Sequence, residues 1–150
     1  MEIKSCVSNN EALEKFKDSK MFSAYYEVLI FAASIGFERN TRRKIDKADK
    51  TIELYLFEGF SGFNAVYYGI SLAEEKNQDI LQKNDESQIR RFRHFEEYAN
   101  GGLDILKREV LERPGDILEN ILLFLKKDGA GFGDDSGGTT KKFDFSFGLG

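Results

Sequence analysis

Cysteine, histidine and tryptophan are scarce in this chain of 150 residues, which contains one cysteine, one histidine and no tryptophan. A single cysteine, Cys6, excludes an intramolecular disulfide and is typical of a reducing compartment. Cys6 and His94 lie far apart in the sequence, so they do not make a zinc site by themselves. We therefore expect the protein to bind no metal ion and no cofactor.

Long apolar runs and a strong charge of either sign are missing as well. The longest apolar run, residues 28–33, is far shorter than the ~20 residues of a membrane-spanning helix. The chain begins Met-Glu-Ile-Lys-Ser, without the apolar core of a signal peptide, and we expect a cytoplasmic protein that does not contact membranes. The net charge of −4 argues against a dedicated, highly basic nucleic-acid binder.

The chain does contain enough apolar material for one globular domain. Hydrophobic residues make up 41% of the sequence and aromatic residues 13%, and a chain of this length can bury a sizeable core. Apolar residues recur with the helical period, which predicts a mainly α fold: a compact helical domain of about five to six helices with a small β-hairpin or a lone strand. The predicted helices are residues 11–17, 23–35, 63–76, 85–100, 103–113 and 117–127.

Two of these helices support the most specific predictions. The helix over residues 23–35 is apolar nearly all round, which is typical of a central core element, and Gly36 is expected to end it. Asn100 and Gly101 tolerate positive φ, so they predict a helix stop. A new helix then begins at Leu103, and we expect a sharp helical corner between the two.

Residues 51–57 predict a β-strand, because they alternate in polarity and contain strong β formers. One strand cannot satisfy its backbone hydrogen bonds alone. A hairpin with residues 42–46 is the preferred partner. The alternatives are residues 2–7, residues 143–147 and a second copy of the chain.

The composition changes at Asp128, where a Gly-rich tail begins. Residues 129–140 predict a flexible linker, which divides the chain into a helical domain, residues 1–127, and a tail, residues 128–150. Phe143, Phe145 and Phe147 alternate with polar residues, so a strand formed there would present all three rings on one face. We expect these rings to bind the edge of a sheet in a partner, in a second copy or in the same molecule.

Two basic segments are the best candidates for a binding surface. One places six cations within residues 39–50, and the other is predicted to line the exposed side of the helix over residues 85–100, beside His94. Contacts with DNA phosphates would make binding salt-dependent. A solvated surface with ordinary ion pairs and an acidic protein partner are the alternatives. The candidate residues are Arg39, Arg42, Arg43, Lys44, Lys47, Lys50, Arg90, Arg91 and Arg93.

Among the acidic residues, Glu96 has an unusual position. It falls beside the apolar face that Phe92, Phe95 and Ala99 predict, so we expect it to be partly buried and paired with an arginine or a helix terminus. A functional carboxylate is the alternative. The sequence contains no nucleophile elbow and no complete phosphate-binding loop, and it predicts no catalytic residue.

Several segments, in their order along the chain, resemble one protein family. The most specific are Phe-Ala-Ala-Ser-Ile-Gly-Phe, residues 31–37, and Phe-Glu-Glu-Tyr-Ala-Asn-Gly-Gly-Leu, residues 95–103. Together with the basic segment and the strand between them, they resemble the DNA phosphorothioation-associated accessory proteins. Those small proteins are encoded beside bacterial and archaeal DNA sulfur-modification (Dnd) and restriction genes. The similarity covers residues 11–127.

The resemblance implies a role in phage defence or its control, and it implies no catalytic residue. With the basic segments, it favours a non-enzymatic accessory subunit that contacts DNA, a larger defence protein, or both. An unpaired strand also fits a homo-oligomer. Two alternatives stay open: a nuclease or nicking component with Glu96 and residues 90–93 as its site, and a dimeric transcriptional regulator of the operon.

Overall fold

The structure, a computed structural model, describes residues 2–127, and they form the mainly α fold that the periodicity predicts. Short 3₁₀ turns at Val7–Asn9 and Gln78–Leu81 and a π-helical segment at Lys107–Leu111 join the main elements. Those elements are β1 (Glu2–Cys6), α1 (Asn10–Asp18), α2 (Tyr25–Glu38), β2 (Ala48–Glu53), α3 (Leu54–Glu58), α4 (Phe63–Glu75), α5 (Asp85–Leu106) and α6 (Ile117–Lys127).

The predicted tail, with Phe143, Phe145 and Phe147, lies outside the residues that the structure describes. Its division from the helical domain and the docking of its rings therefore stay predictions. Among the described residues, no helix combines the length and the apolar character needed to cross a membrane.

The contact between α2 and α5 organises the core. Ala32 and Ala33 on α2 are fully buried, as expected for a central helix. A Cβ atom added at Gly102 on α5 would lie 1.8 Å from the carbonyl oxygen of Ala32. Only glycine permits two helix backbones to approach this closely.

Both predicted helix stops are wrong, and for the same reason. Helix α2 continues through Gly36 to Glu38, and α5 runs without a corner through residues 100–102. A Cβ atom at Gly36 would lie 2.1 Å from the carbonyl oxygen of Tyr98, and one at Gly101 would lie 2.1 Å from that of Thr41. These glycines make room for neighbouring backbone inside continuous helices.

The predicted strand is displaced along the sequence. Strand β2 spans Ala48–Glu53, and the residues that follow it form the short helix α3. Its antiparallel partner is β1, with Ile3 opposite Ile52. The preferred hairpin with residues 42–46 is therefore wrong, and the alternative pairing with residues 2–7 is confirmed. An apolar run as short as residues 54–57 does not distinguish a strand from one turn of helix.

Side chains from α5 hydrogen-bond to the backbone of β1. Glu96 Oε2 accepts the N–H of Lys4 at 2.6 Å, and Asn100 Oδ1 accepts the N–H of Cys6 at 2.8 Å. Four residues of helix and two residues of strand both span about 6 Å, so the two spacings match. Two strand N–H groups that would otherwise be open to another chain are satisfied in this way.

Aromatic rings fill the core where α3, α4 and α5 meet. The ring of Phe63 packs against those of Phe57, Phe95 and Tyr67, with centroids 5.3, 5.6 and 4.9 Å apart. All four side chains are almost completely buried. This cluster fixes α4 against the first half of α5, which carries the second basic segment.

Candidate nucleic-acid interface

The first basic segment packs against α5, and Arg42 is the centre of its polar contacts. Its Nε donates to Glu97 Oε1 at 3.0 Å, and its Nη1 donates to Glu74 Oε2 at 3.1 Å. Its Cζ also lies 4.8 Å from the centre of the Tyr98 ring. Arg42 therefore joins α4 to α5, and only 29% of its side chain is exposed.

His94 extends this network and is not the solvated residue that the sequence predicts, since 14% of its side chain is exposed. A guanidinium can only donate, so His94 Nδ1 accepts from Arg42 Nη2 at 3.0 Å. His94 Nε2 then donates to Glu75 Oε2 at 2.7 Å, and this hydrogen bond lowers the pKa of Glu75. One neutral tautomer of the imidazole satisfies both contacts.

The hydroxyl of Tyr98 donates to Glu74 in the same network. Burial, reinforced by the charge of Glu74, raises the pKa of Tyr98 to about 12. The phenol is therefore a stable hydrogen-bond donor at neutral pH, and it helps to hold Glu74 in place for Arg42.

Three further cations of the first segment are paired with carboxylates from other parts of the fold. The side chains of these cations are 24–30% exposed, so solvent screens the ion pairs only in part. These ion pairs hold the first basic segment against the rest of the fold. The pairs are Arg39 with Glu109 at 3.0 Å, Arg43 with Asp104 at 2.6 Å and Lys50 with Glu14 at 3.0 Å.

In the second basic segment, Arg91 is buried, and its predicted position on an exposed surface is wrong. It is 4% exposed, and its Nη1 donates to the carbonyl oxygens of Ile80 and Gln82 at 2.6 and 2.9 Å. Arg91 lies four residues before Phe95, so the two share the core face of α5. Its neighbour Arg90 is half-buried and pairs with Glu86 and Glu75 at 3.2 and 3.4 Å.

Three of the nine candidate cations are exposed and have no ion-pair partner among residues 2–127. They are Lys44, Lys47 and Arg93. Lys44 and Arg93 line the same open groove, of about 680 Å³, between β1, residues 44–48 and α5. The structure thus brings the two basic segments together, but through only a few of their residues.

The groove also contains Lys4, a cation that the basic segments do not include. Ile89 and Phe92 supply an apolar wall, and 53% of Ile89 is exposed. Lys4 alternates with buried residues along β1, and this alternation is the sequence signal that would have placed Lys4 on the surface. The signal can be read only once residues 2–6 are known to form a strand. The acidic residues of the groove are Glu2, Asp46, Glu96 and Glu97.

Two of these carboxylates are already engaged. Glu97 accepts from Arg42, and Glu96 accepts the N–H of Lys4. Burial raises the pKa of Glu96 to about 7, although its contacts with Lys4 oppose the shift. Glu96 is partly buried, as predicted, but its partner is a strand N–H group. Of the four carboxylates near Lys44 and Arg93, one is therefore paired with an arginine and a second is only partly ionised at neutral pH.

No group of three or more His, Cys, Asp and Glu side chains within residues 2–127 is placed to hold a metal ion. A family model described as DNA sulphur modification system-associated protein 4 matches residues 6–143, which include all nine candidate cations. No curated protein and no solved structure matches the chain.

Proposed function

Because the chain belongs to the family described as DNA sulphur modification system-associated protein 4, we propose that it is a non-enzymatic accessory component that contacts DNA through Lys44, Lys47 and Arg93. Membership confirms the resemblance carried by residues 31–37 and 95–103. Association with a DNA sulphur modification system follows from it, and the DNA contact is the proposed part.

The observation that supports the proposal most strongly is the position of the cations that form no ion pair within residues 2–127. Within residues 2–127, the side chains of six of the nine candidate cations make ion pairs or hydrogen bonds, whereas the other three side chains make none and are exposed. Two of those three, from segments about fifty residues apart in sequence, face one groove beside Lys4. Phosphate groups are the natural partners of such a set, because each exposed cation can replace a condensed counterion on DNA.

The remaining carboxylates of the groove make this a weak contact. Glu2 and Asp46 lie beside the cations and repel a phosphate backbone. We therefore expect non-specific binding that is detectable at low salt and lost at physiological salt. Such a contact suits a protein that acts beside a larger DNA-handling protein, which supplies the affinity.

The test is binding of a short DNA duplex to the full chain at low salt, followed by fluorescence anisotropy. The variant Lys44→Gln/Lys47→Gln/Arg93→Gln should bind at least about tenfold more weakly, because it removes three phosphate contacts. The control Arg113→Gln/Lys126→Gln/Lys127→Gln removes the same charge from exposed residues in and before α6 and should bind like the wild type. Equal losses in both variants, or no binding by the wild type, would contradict the DNA contact.

A second candidate function is contact with a larger protein of the same system, and the exposed leucines of α6 favour it. Leu118, Leu122 and Leu123 are 48, 50 and 47% exposed. Leu118 and Leu122 are four residues apart, so they form one apolar strip on the helix. The double variant Leu118→Ser/Leu122→Ser should abolish co-elution with a purified protein of the modification system while leaving duplex binding intact. Unchanged co-elution would exclude this strip.

A further inference from the structure

A cavity of about 350 Å³ lies where α3, α4 and the start of α5 meet, and it shares no residue with the groove. Its volume falls in the range of small-molecule sites. Aromatic rings and amide side chains dominate its walls. The wall includes Phe63, Asn64, Tyr67, Tyr68 and Asn84, together with the guanidinium group of Arg91.

Arg91 forms no ion pair within the part of the chain that the structure describes. Its side chain is almost completely buried, yet none of its contacts there is an ion pair. The two carbonyl oxygens that it reaches are both bound by Nη1. A buried guanidinium without a counterion is costly, because burial removes its hydration without replacing it by an opposite charge.

Two polar atoms beside the cavity also have no hydrogen-bond partner in residues 2–127. They are Arg91 Nε and the hydroxyl oxygen of Tyr67, and both are buried. The two side chains are neighbours, since Arg91 opposes the rise that burial causes in the pKa of Tyr67. Cζ of Arg91 lies 5.9 Å from the centre of the Tyr67 ring and 5.5 Å from that of Tyr68. Buried groups of this kind are normally satisfied, so a missing partner calls for an explanation.

We propose that this cavity binds a small molecule through a carboxylate or phosphate group, whose oxygens accept hydrogen bonds from Arg91 and Tyr67. An oxyanion supplies what these two side chains lack, an ion-pair partner for Arg91 and acceptor atoms for Arg91 and Tyr67. The Nε edge of a guanidinium matches the paired oxygens of either group. This site is independent of the proposed DNA contact.

The rest of the cavity wall limits the class of ligand. The N-cap residue Asn84 and the first turn of the 22-residue helix α5, with Asp85 and Gln88, line one side of the cavity, and the N-terminal dipole of α5 favours an anion. Lys83 adds a second cation, while Glu58 and Asp85 add two carboxylates. Two cations and two carboxylates therefore line the cavity, and this equal charge favours a ligand with one oxyanion over a polyanion. The two carboxylates can also accept hydrogen bonds from an amine or hydroxyl group of the ligand.

The direct test follows the Nε–H signal of Arg91 by nitrogen–proton NMR, assigned by triple-resonance experiments on the full chain. Sodium phosphate and sodium acetate are titrated separately, with sodium chloride at equal ionic strength as the control. We expect a saturable shift with at least one of the two oxyanions, and the stronger binder distinguishes phosphate from carboxylate. Shifts no larger than those with chloride for both anions would overturn the proposal.

Tyr67→Phe provides a second test that leaves Arg91 in place. Removing this hydroxyl should cost little stability, because it makes no close hydrogen bond within residues 2–127, whereas it should weaken oxyanion binding about 10- to 100-fold. Tyr26→Phe, a matched change on α2 outside the cavity, should leave the affinity unchanged. Unchanged affinity in Tyr67→Phe would overturn the assigned role of the hydroxyl and the site with it.

Discussion

Gly102 on α5 lies directly against the backbone of Ala32 on α2, with 1.8 Å between the Ala32 carbonyl oxygen and the position of a Cβ atom on Gly102. In an exposed helix, replacing glycine by alanine stabilises by about 1 kcal/mol. At Gly102 the added methyl group must push two helices apart, so the substitution is expected to destabilise the fold. The α2–α5 contact is therefore the point where the fold tolerates the least added volume.

We expect Gly102→Ala to lower the free energy of unfolding by about 1–3 kcal/mol, measured by urea denaturation. Gly59→Ala is the control, because Gly59 has a φ of −72° and a Cβ there would lie 3.7 Å from the nearest atom. That variant should stay within about 0.5 kcal/mol of the wild type. A Gly102→Ala protein as stable as the wild type would show that the two helices are not in tight contact.

The helical content and the burial of α2 could be predicted from the sequence, because apolar periodicity reports directly on a buried helix face. The course of α5 could not. A glycine in a helical pattern can end the helix or let another backbone approach, and the residue is the same in both cases. Asn100 has the same ambiguity: it is typical of a helix stop, yet here it is buried and binds the strand N–H of Cys6.

A second prediction concerns the pH dependence of stability. Burial raises the pKa of Glu96 from 4.5 to about 7, so the folded state retains a proton that the unfolded chain releases in this window. Glu96 therefore lowers stability as the pH rises from 4.5 through about 7. Glu96→Gln keeps an oxygen acceptor for the Lys4 N–H but does not titrate. It should be about 1–3 kcal/mol more stable than the wild type at about pH 8.

Melting temperatures across this pH range provide the measurement. The advantage of Glu96→Gln should disappear below the ordinary glutamate pKa of 4.5, where Glu96 is protonated in both states. Glu112→Gln, at an exposed position, should follow the wild-type curve throughout. A difference between Glu96→Gln and the wild type that does not change with pH would contradict the titration of Glu96.

A third prediction separates structural from surface cations within one basic segment. Arg42→Ala leaves Glu74 and Glu97 without their cation and should cost about 1–3 kcal/mol, because these groups are only partly exposed. Lys44→Ala, two residues away and exposed, should cost less than about 0.5 kcal/mol. Arg42→Lys should recover only part of the loss, since one ammonium cannot replace the guanidinium fork. Equal stability of the two alanine variants would contradict the network.

The candidate site could be located in the sequence only as two basic segments. The sequence shows that these segments are basic. It does not show which carboxylates pair with them, because those carboxylates come from distant parts of the chain: α1, α4, α5 and the π-helical segment. The burial of Arg91 depends on the rotation of α5 about its axis. The apolar spacing predicts a core face that continues from Phe92 to Ile89 and leaves Arg91 outside it, whereas the structure buries Arg91 and leaves 53% of Ile89 exposed.

The last prediction counts the phosphate contacts. The slope of log K against log salt concentration is about −0.9 for each phosphate neutralised on duplex DNA. Contacts from Lys44, Lys47 and Arg93 alone should therefore give a slope of about −3, whereas all nine candidate cations would give about −8. Anisotropy titrations at several salt concentrations below the physiological ~150 mM measure it. Lys44→Gln should reduce the slope by about 1, and Lys126→Gln should leave it unchanged. A wild-type slope near −8, or one that Lys44→Gln does not alter, would show that DNA contacts a different set of cations.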